Sequence, residues 1–83
     1  MKINQYKNGQ HHGYWEHYYS SGNVFAKGNY ILGNRIGWWT HYDSNGAIWY
    51  EGEYNDNGRR IGYWSFYDNS TPIKLKKISF YLQ

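Results

Sequence analysis

The sequence lacks cysteine and contains alanine only at Ala26 and Ala47. Without cysteine, neither a disulfide nor a thiolate metal site can support the small core that a chain of this length forms. Large aliphatic residues are also scarce, whereas the strand-forming residues tyrosine, tryptophan, phenylalanine and isoleucine are abundant. This composition favours an all-β protein over a helical one.

Long apolar runs are absent as well. No stretch approaches the roughly 20 apolar residues that span a bilayer as a helix, and the opening MKINQYKNGQ contains no apolar segment of a secretory signal. We therefore expect a cytoplasmic protein for which membrane binding is the least favoured function. The net charge of +3 is compatible with an acidic protein or a nucleic acid as partner, and it requires neither.

Aromatic residues make up 23 % of the chain and recur at a fixed period. Trp15, Trp39 and Trp64 are spaced by 24 and then 25 residues. A second ladder repeats every 24 residues at Tyr6, Tyr30 and Tyr54. Such a period indicates an array of small structural units that bury their aromatic side chains by stacking on each other.

All ten glycines fall at four positions of this repeat. The four sets are Gly9/Gly33/Gly58, Gly13/Gly37/Gly62, Gly22/Gly46 and Gly28/Gly52. We expect the first two sets to open and close one connection, and the third to lie in the other turn. The fourth set falls inside a strand, which indicates a bulge or the close approach of another side chain. The one-residue difference in repeat length is predicted to fall between Tyr54 and Gly58.

Each unit predicts a β-hairpin: a first strand such as GYWEHYY, a turn containing Ser-Gly or Asn-Gly, and a second strand such as VFAKGNY. The units are placed at about 6–29, 30–53 and 54–72, followed by a basic C-terminal strand at 73–83. The predicted fold is therefore all-β, an antiparallel meander of stacked hairpins with about six or seven strands in a single domain, 1–83.

These residues resemble the MORN repeat family, in particular the variant repeats of YwqK-type antitoxin proteins, whose pattern is NG-x-x-x-G-x-W-x-x-Y-x-x-x-G followed by G-x-Y-x-x-G. The matching segments are NGQHHGYWEHYYSSG with GNYILG, GNRIGWWTHYDSNG with GEYNDNG, and GRRIGYWSFYD. They cover roughly residues 6–68; the third unit lacks the turn glycine. The resemblance implies stacked hairpins in a twisted single-layer sheet, used for protein contacts and dimerisation, and it suggests an antitoxin.

Alternation of side chains along a strand separates two faces. The packed face is expected to hold the tryptophan column and a charge-free set from the second strands: Val24/Ile48, Ala26/Tyr50, Gly28/Gly52 and Tyr30/Tyr54. The hydrated face is expected to hold Phe25 and Trp49 beside Lys27 and Glu51. Since a single layer cannot bury aromatic residues on both faces, and since its last strand leaves an edge unpaired, we expect a homodimer.

Catalytic and metal chemistry find little support in the sequence. The acids fall at turns or at hydrated strand positions, and no nucleophile, phosphate-binding loop or supported triad is present, so we expect neither an enzyme nor a cofactor. His11, His12 and His17 could supply a metal site. Packing is the stronger interpretation, because Phe66 takes the repeat position of His17 and His41 in the third unit.

The predicted function is that of a non-enzymatic interaction module that binds and inhibits a partner protein, as an antitoxin or a phage-type inhibitor does. Tyrosine, tryptophan and arginine are the usual hot-spot residues of protein interfaces. The predicted anchors are Tyr14, Trp38, Tyr63, Phe25 and Trp49. The predicted charged contacts are Arg35, Arg59 and Arg60.

An alternative function is RNA binding, in which the same aromatic residues stack on bases and a basic edge contacts phosphates. The basic residues of the last strand, Lys74, Lys76 and Lys77, would form that edge. The two functions would merge if the target were a ribonuclease or a ribonucleoprotein.

Overall fold

A computed structural model of the chain describes residues 3–68 and 74–82. These residues form one seven-stranded sheet in which every strand pairs antiparallel with its neighbours in sequence. The strands are β1 (Gln5–Lys7), β2 (Gln10–Tyr18), β3 (Val24–Ile31), β4 (Asn34–Tyr42), β5 (Ile48–Tyr54), β6 (Arg60–Tyr67) and β7 (Leu75–Tyr81). The all-β hairpin meander predicted from the repeat is confirmed. Within the described residues, no helix is long and apolar enough to span a membrane.

Tight turns join the hairpin units. Asn8-Gly9 connects β1 to β2 and Leu32-Gly33 connects β3 to β4, and both residues of each turn have positive φ, the arrangement that suits a two-residue hairpin. The connection between β5 and β6 is longer and occupies residues 55–59. The one-residue difference between the repeats therefore falls between Tyr54 and Gly58, as predicted.

The second glycine set departs from the expectation that it closes a connection. Gly13, Gly37 and Gly62 lie inside β2, β4 and β6, with φ angles of 81°, 66° and 68°. At Gly37 and Gly62 the pairing with the preceding strand slips: Lys27 pairs with Thr40, whereas Asn29 pairs with Ile36. Gly37 and Gly62 are therefore bulge positions, each two residues before a repeat tryptophan.

Gly28 and Gly52 lie under the indoles of Trp39 and Trp64, where any Cβ atom would overlap the ring. The close approach predicted for these two glycines is confirmed. Each indole crosses the preceding strand, and its Nε1 donates a hydrogen bond to a carbonyl there. The distances are 2.9 Å from Trp15 to Gln5, 3.0 Å from Trp39 to Asn29 and 3.2 Å from Trp64 to Glu53.

The core is the row of tryptophans on one sheet face, together with Tyr30 and Tyr54 of the tyrosine ladder, whereas Tyr6 is 62 % exposed. Trp39 and Trp64 have no exposed surface. Each tryptophan meets a ladder tyrosine edge-on: ring centroids are 5.1 Å apart for Tyr6–Trp15, 4.9 Å for Tyr30–Trp39 and 5.1 Å for Tyr54–Trp64. Edge-to-face pairs of this kind stabilise by about 0.5–1.5 kcal/mol beyond their burial. The predicted packing of the tryptophan column is confirmed, and we call this side of the sheet the Trp face.

Bulges at the start of β3 and β5 change the predicted faces. His17 pairs with Ala26, but Tyr18 pairs with Val24, so Phe25 is an extra residue in β3. Its ring stacks on His17 with 5.5 Å between centroids and packs against the core. The prediction that Phe25 lies on the hydrated face is wrong, because alternation fails across a bulge.

The same shift occurs in β5, where Trp49 is the extra residue between Ile48 and Tyr50. Val24 and Ile48 therefore share a face with Tyr18 and Tyr42, not with the core residues that follow them in sequence. Their predicted place in the packed column is wrong for the same physical reason.

Candidate interaction surfaces

The face opposite the tryptophan column, which we call the Tyr/Glu face, carries the large exposed aromatic residues. Trp38 is 54 % exposed, Tyr63 68 % and Phe80 56 %. Tyr63 and Phe80 pair directly across β6 and β7, and their ring centroids are 4.8 Å apart. Nothing within the described residues covers these rings, so apolar surface is left in contact with solvent.

Glu51 lies at the centre of this face and fixes its neighbours. Its carboxylate accepts hydrogen bonds from Trp38 Nε1 at 3.1 Å, Thr40 Oγ1 at 3.4 Å and Tyr67 OH at 3.2 Å. The Trp38 ring is therefore held in one orientation although half of it is exposed. A ring that is already ordered loses little conformational entropy when it binds a partner.

Glu16 organises the other end of the same face. It accepts hydrogen bonds from the hydroxyls of Tyr18 and Tyr14, and these bonds lower the pKa of Glu16. Burial and the bond to Glu16 raise the pKa of Tyr14 to about 12. At neutral pH the carboxylate is thus charged and the Tyr14 hydroxyl remains a donor.

A shallow recess of about 520 Å³ opens beside Glu53, the residue that pairs with Trp38. Ile36 and Ile61 line it, together with the loop residues 55–57. The recess gives the Tyr/Glu face a concave border where an apolar side chain with a polar neighbour could enter.

The Trp face carries cations. The Arg35 guanidinium carbon lies 4.7 Å from the ring centroid of Trp39, and that of Arg60 lies 4.4 Å from the ring centroid of Trp64. Arg60 also donates from Nη1 to the hydroxyl of Tyr81 at 3.1 Å. Each arginine is half-buried on an indole and contributes a cation–π contact.

The histidines of the Trp face are packing residues. His41 is buried, and its burial, with the nearby Arg35 and Arg60, lowers its pKa to about 4. His17 stacks between Phe25 and the core, and burial lowers its pKa too. Across the described ranges, no group of three His, Cys, Asp or Glu residues could hold a metal ion.

The predicted anchors and charged contacts do not form one surface. Tyr14, Trp38 and Tyr63 lie on the Tyr/Glu face, whereas Arg35 and Arg60 lie on the Trp face. Phe25 also packs on the Trp face, and Trp49, 53 % exposed, lies edge-on to Tyr50 at the β5 bulge. Arg59 is exposed in its loop.

The last strand contributes residues that the sequence reasoning missed. Ile78 and Phe80 extend the exposed apolar surface of the Tyr/Glu face, since they pair with Ser65 and Tyr63. The alternation of apolar and polar residues in KISFYL was the available signal for this surface. The three lysines instead favoured the interpretation of the strand as a basic edge. Lys74 and Lys76 are exposed, while the Lys77 ammonium lies 4.9 Å from the ring centroid of Phe66 on the Trp face.

β7 forms one edge of the sheet and pairs only with β6 among the described strands. The homodimer expected from such an edge stays a prediction. No family model matches this chain, and no similar curated protein or solved structure is found. The resemblance to MORN repeats therefore also stays a prediction.

Proposed function

We propose that this chain is a non-enzymatic module that binds and blocks a partner protein, and that the Tyr/Glu face is its binding surface. The observation that carries the proposal is the uncovered aromatic group on that face: Trp38, Tyr63 and Phe80, each more than half exposed on a regular sheet. Large aromatic residues of this kind contribute most of the affinity at protein interfaces. The sheet holds them at low entropic cost, because their backbone is paired and Trp38 is fixed by Glu51.

The proposal gives Trp38 and Tyr63 the role of anchors and Tyr14 a supporting role at the edge. Phe25, Arg35 and Arg60 are not part of this surface, since their side chains lie on the Trp face. An antitoxin or an inhibitor of the phage type would use such a surface to occlude its target. That biological role rests on the resemblance to MORN repeats.

RNA binding receives less support from the geometry. Binding a single strand requires exposed rings beside cations that follow the phosphates. The exposed rings of Trp38 and Tyr63 instead lie beside the carboxylates of Glu51 and Glu53, which repel phosphate. Exposed lysines, Lys74 and Lys76, occur at the start of the last strand, and the exposed ring of Phe80 lies farther along the same strand.

The test is capture of a partner from host lysate on the tagged protein, with and without ribonuclease. We expect a stoichiometric protein that survives ribonuclease and is lost from the double variant Trp38→Ala/Tyr63→Ala. Trp49→Ala is the matched control, because Trp49 is as exposed as Trp38 but lies outside the surface. Loss of the partner after ribonuclease treatment would favour RNA binding, and equal loss from the Trp49 variant would exclude the Tyr/Glu face.

A further inference from the structure

Arg35 and Arg60 are cations for which the described residues supply no anionic partner. In the described part of the chain neither guanidinium contacts a carboxylate, and no carboxylate lies on the Trp face. The strand acids Glu16, Glu51 and Glu53 belong to the opposite face, and the other acids lie in or beside connections. Arginine is mostly exposed in proteins and is almost never fully buried unless it is paired. On this face, no carboxylate of residues 3–68 or 74–82 compensates the positive charge.

The two side chains are positioned rather than free. Each guanidinium lies on an indole, and each residue pairs across the sheet with a ladder tyrosine, Arg35 with Tyr30 and Arg60 with Tyr54. Arg35 donates from Nη1 to the Tyr54 hydroxyl at 3.4 Å and toward His41 Nε2 at 3.5 Å, and it also bonds to the hydroxyl of Tyr30. Arg60 likewise bonds to two tyrosine hydroxyls, those of Tyr81 and Tyr54.

Among the described residues, both guanidinium groups donate only to neutral groups, the tyrosine hydroxyls and, for Arg35, His41. A guanidinium carries five N–H donors in a planar fork, so donors remain with which it can bind a carboxylate through two parallel hydrogen bonds. Stacking on the indole fixes the plane of the group, so little further ordering is required when an oxyanion binds.

We propose that Arg35 and Arg60 form a binding site for an acidic peptide segment, with one carboxylate of the segment on each guanidinium. The residues occupy equivalent places on β4 and β6, with Tyr54 of β5 between them. Two strand spacings separate them by roughly 9.5 Å, a span that about three residues of an extended peptide cover. The site stands on the face opposite Trp38 and Tyr63 and does not depend on the proposed function.

Carboxylates fit this site better than the phosphates of a nucleic acid. The rings beside the arginines are buried and offer no face on which a base could stack; they are those of Trp39, Trp64 and Tyr54. Without stacking, a single-stranded nucleic acid loses a major part of its binding energy. An acidic peptide requires only the two guanidinium groups.

The test is titration of the full chain with a short oligoglutamate peptide. Binding is monitored through the indole N–H signals of Trp39 and Trp64 in nitrogen-15 NMR spectra. We expect binding that weakens with added salt. Arg35→Gln and Arg60→Gln should each reduce affinity about tenfold, because each loses a charge-assisted bidentate contact. The variants Arg35→Lys and Arg60→Lys should fall between wild type and the glutamine variants, since they keep the charge and lose the planar donor pair.

Arg59→Gln is the matched control. Arg59 is the last residue of the connection between β5 and β6, directly before Arg60, and it carries the same charge. Its side chain is exposed, and its backbone bonds to Asn55. Its substitution should change affinity by less than about twofold, as for an exposed charge. Equal weakening in Arg59→Gln would overturn the proposal, because binding would then reflect net charge alone.

Two other results would also overturn it: tighter, arginine-dependent binding of an oligouridylate of the same length, or peptide-induced shifts at the Trp38 indole instead. Near-UV circular dichroism verifies the fold of each variant. If a glutamine variant unfolds, the corresponding lysine variant carries the test, and unchanged affinity in a folded lysine variant counts against bidentate binding.

Discussion

The indole of Trp64 lies directly on Gly52 of the neighbouring strand, with no room for a side chain between the ring and the backbone. Trp39 and Gly28 repeat this relationship one unit earlier. The contact lets a large ring lie flat across the sheet, which buries the tryptophan without a second layer of structure. The absence of a Cβ atom at these two positions is therefore a condition for burying the tryptophan column.

Gly52→Ala is expected to lower the free energy of unfolding by about 2–3 kcal/mol, because the new methyl group must displace the Trp64 ring. Urea denaturation measures the loss. Gly62→Ala is the control: Gly62 has a φ of 68° but open space around it, so alanine there costs only about 1 kcal/mol of backbone strain. Equal losses in the two variants would mean that the ring does not press on Gly52 in solution.

Leu32→Asn is expected to stabilise the protein by about 0.5–1 kcal/mol, because asparagine tolerates the left-handed conformation that leucine disfavours. Leu32 has a φ of 45° in its turn, and Asn8 holds the equivalent place in the first turn. The shift in thermal unfolding temperature measures the gain. Leu32→Ala, which keeps the strain, should not stabilise; a gain of the same size from alanine would refute the argument.

His41 should make stability fall on acidification. Burial lowers its pKa from 6.5 to about 4, so between these values the unfolded chain binds the proton more readily than the folded one. Its contribution, on the order of 3 kcal/mol, is present above pH 6.5 and is lost as the pH falls through 4. His41→Phe, which copies Phe66, should flatten the dependence of unfolding free energy on pH in this window. An unchanged slope would place the titrating group elsewhere.

Glu16→Gln is expected to lower the pKa of Tyr14 from about 12 part of the way toward 10, since burial is the larger cause and the hydrogen bond to Glu16 the next. The carbon-13 chemical shift of the Tyr14 ring carbon that bears the hydroxyl, recorded as a function of pH, measures this change in pKa. Glu51→Gln is the matched control. It should lower the pKa of Tyr67, which burial and Glu51 raise, and leave Tyr14 unchanged.

Most of the fold could be predicted from the sequence because the chain is built of repeats. A period marked by Trp15, Trp39 and Trp64 sufficed for the hairpins, their antiparallel order and the packed column, because every unit solves the same packing problem. The close approach at Gly28 and Gly52 followed from a missing side chain inside a strand. These features depend on the local spacing of aromatic residues and glycines, which can be read directly from the sequence.

The bulges could not be derived from alternation, because one extra residue reverses the face of everything beyond it in the strand. The triplets Val24–Ala26 and Ile48–Tyr50 do interrupt the alternation of apolar and polar residues, and this was the available signal. The sequence predicts Arg35 and Arg60 as charged contacts on the same surface as the aromatic anchors, whereas they lie on the Trp face. Their stacking on the indoles of Trp39 and Trp64 depends on tertiary packing, and the register of β4 and β6 shifts between each arginine and its indole.

The hydrogen bond from each repeat indole gives the array a direction. Trp15, Trp39 and Trp64 all reach back to a carbonyl on the strand made just before their own. During synthesis on the ribosome, every indole therefore meets an acceptor that has already left the exit tunnel, and no unit waits for a later one. We expect hydrogen exchange on stalled nascent chains to show protection of the Trp15 indole before that of Trp64, and the reverse order would contradict this.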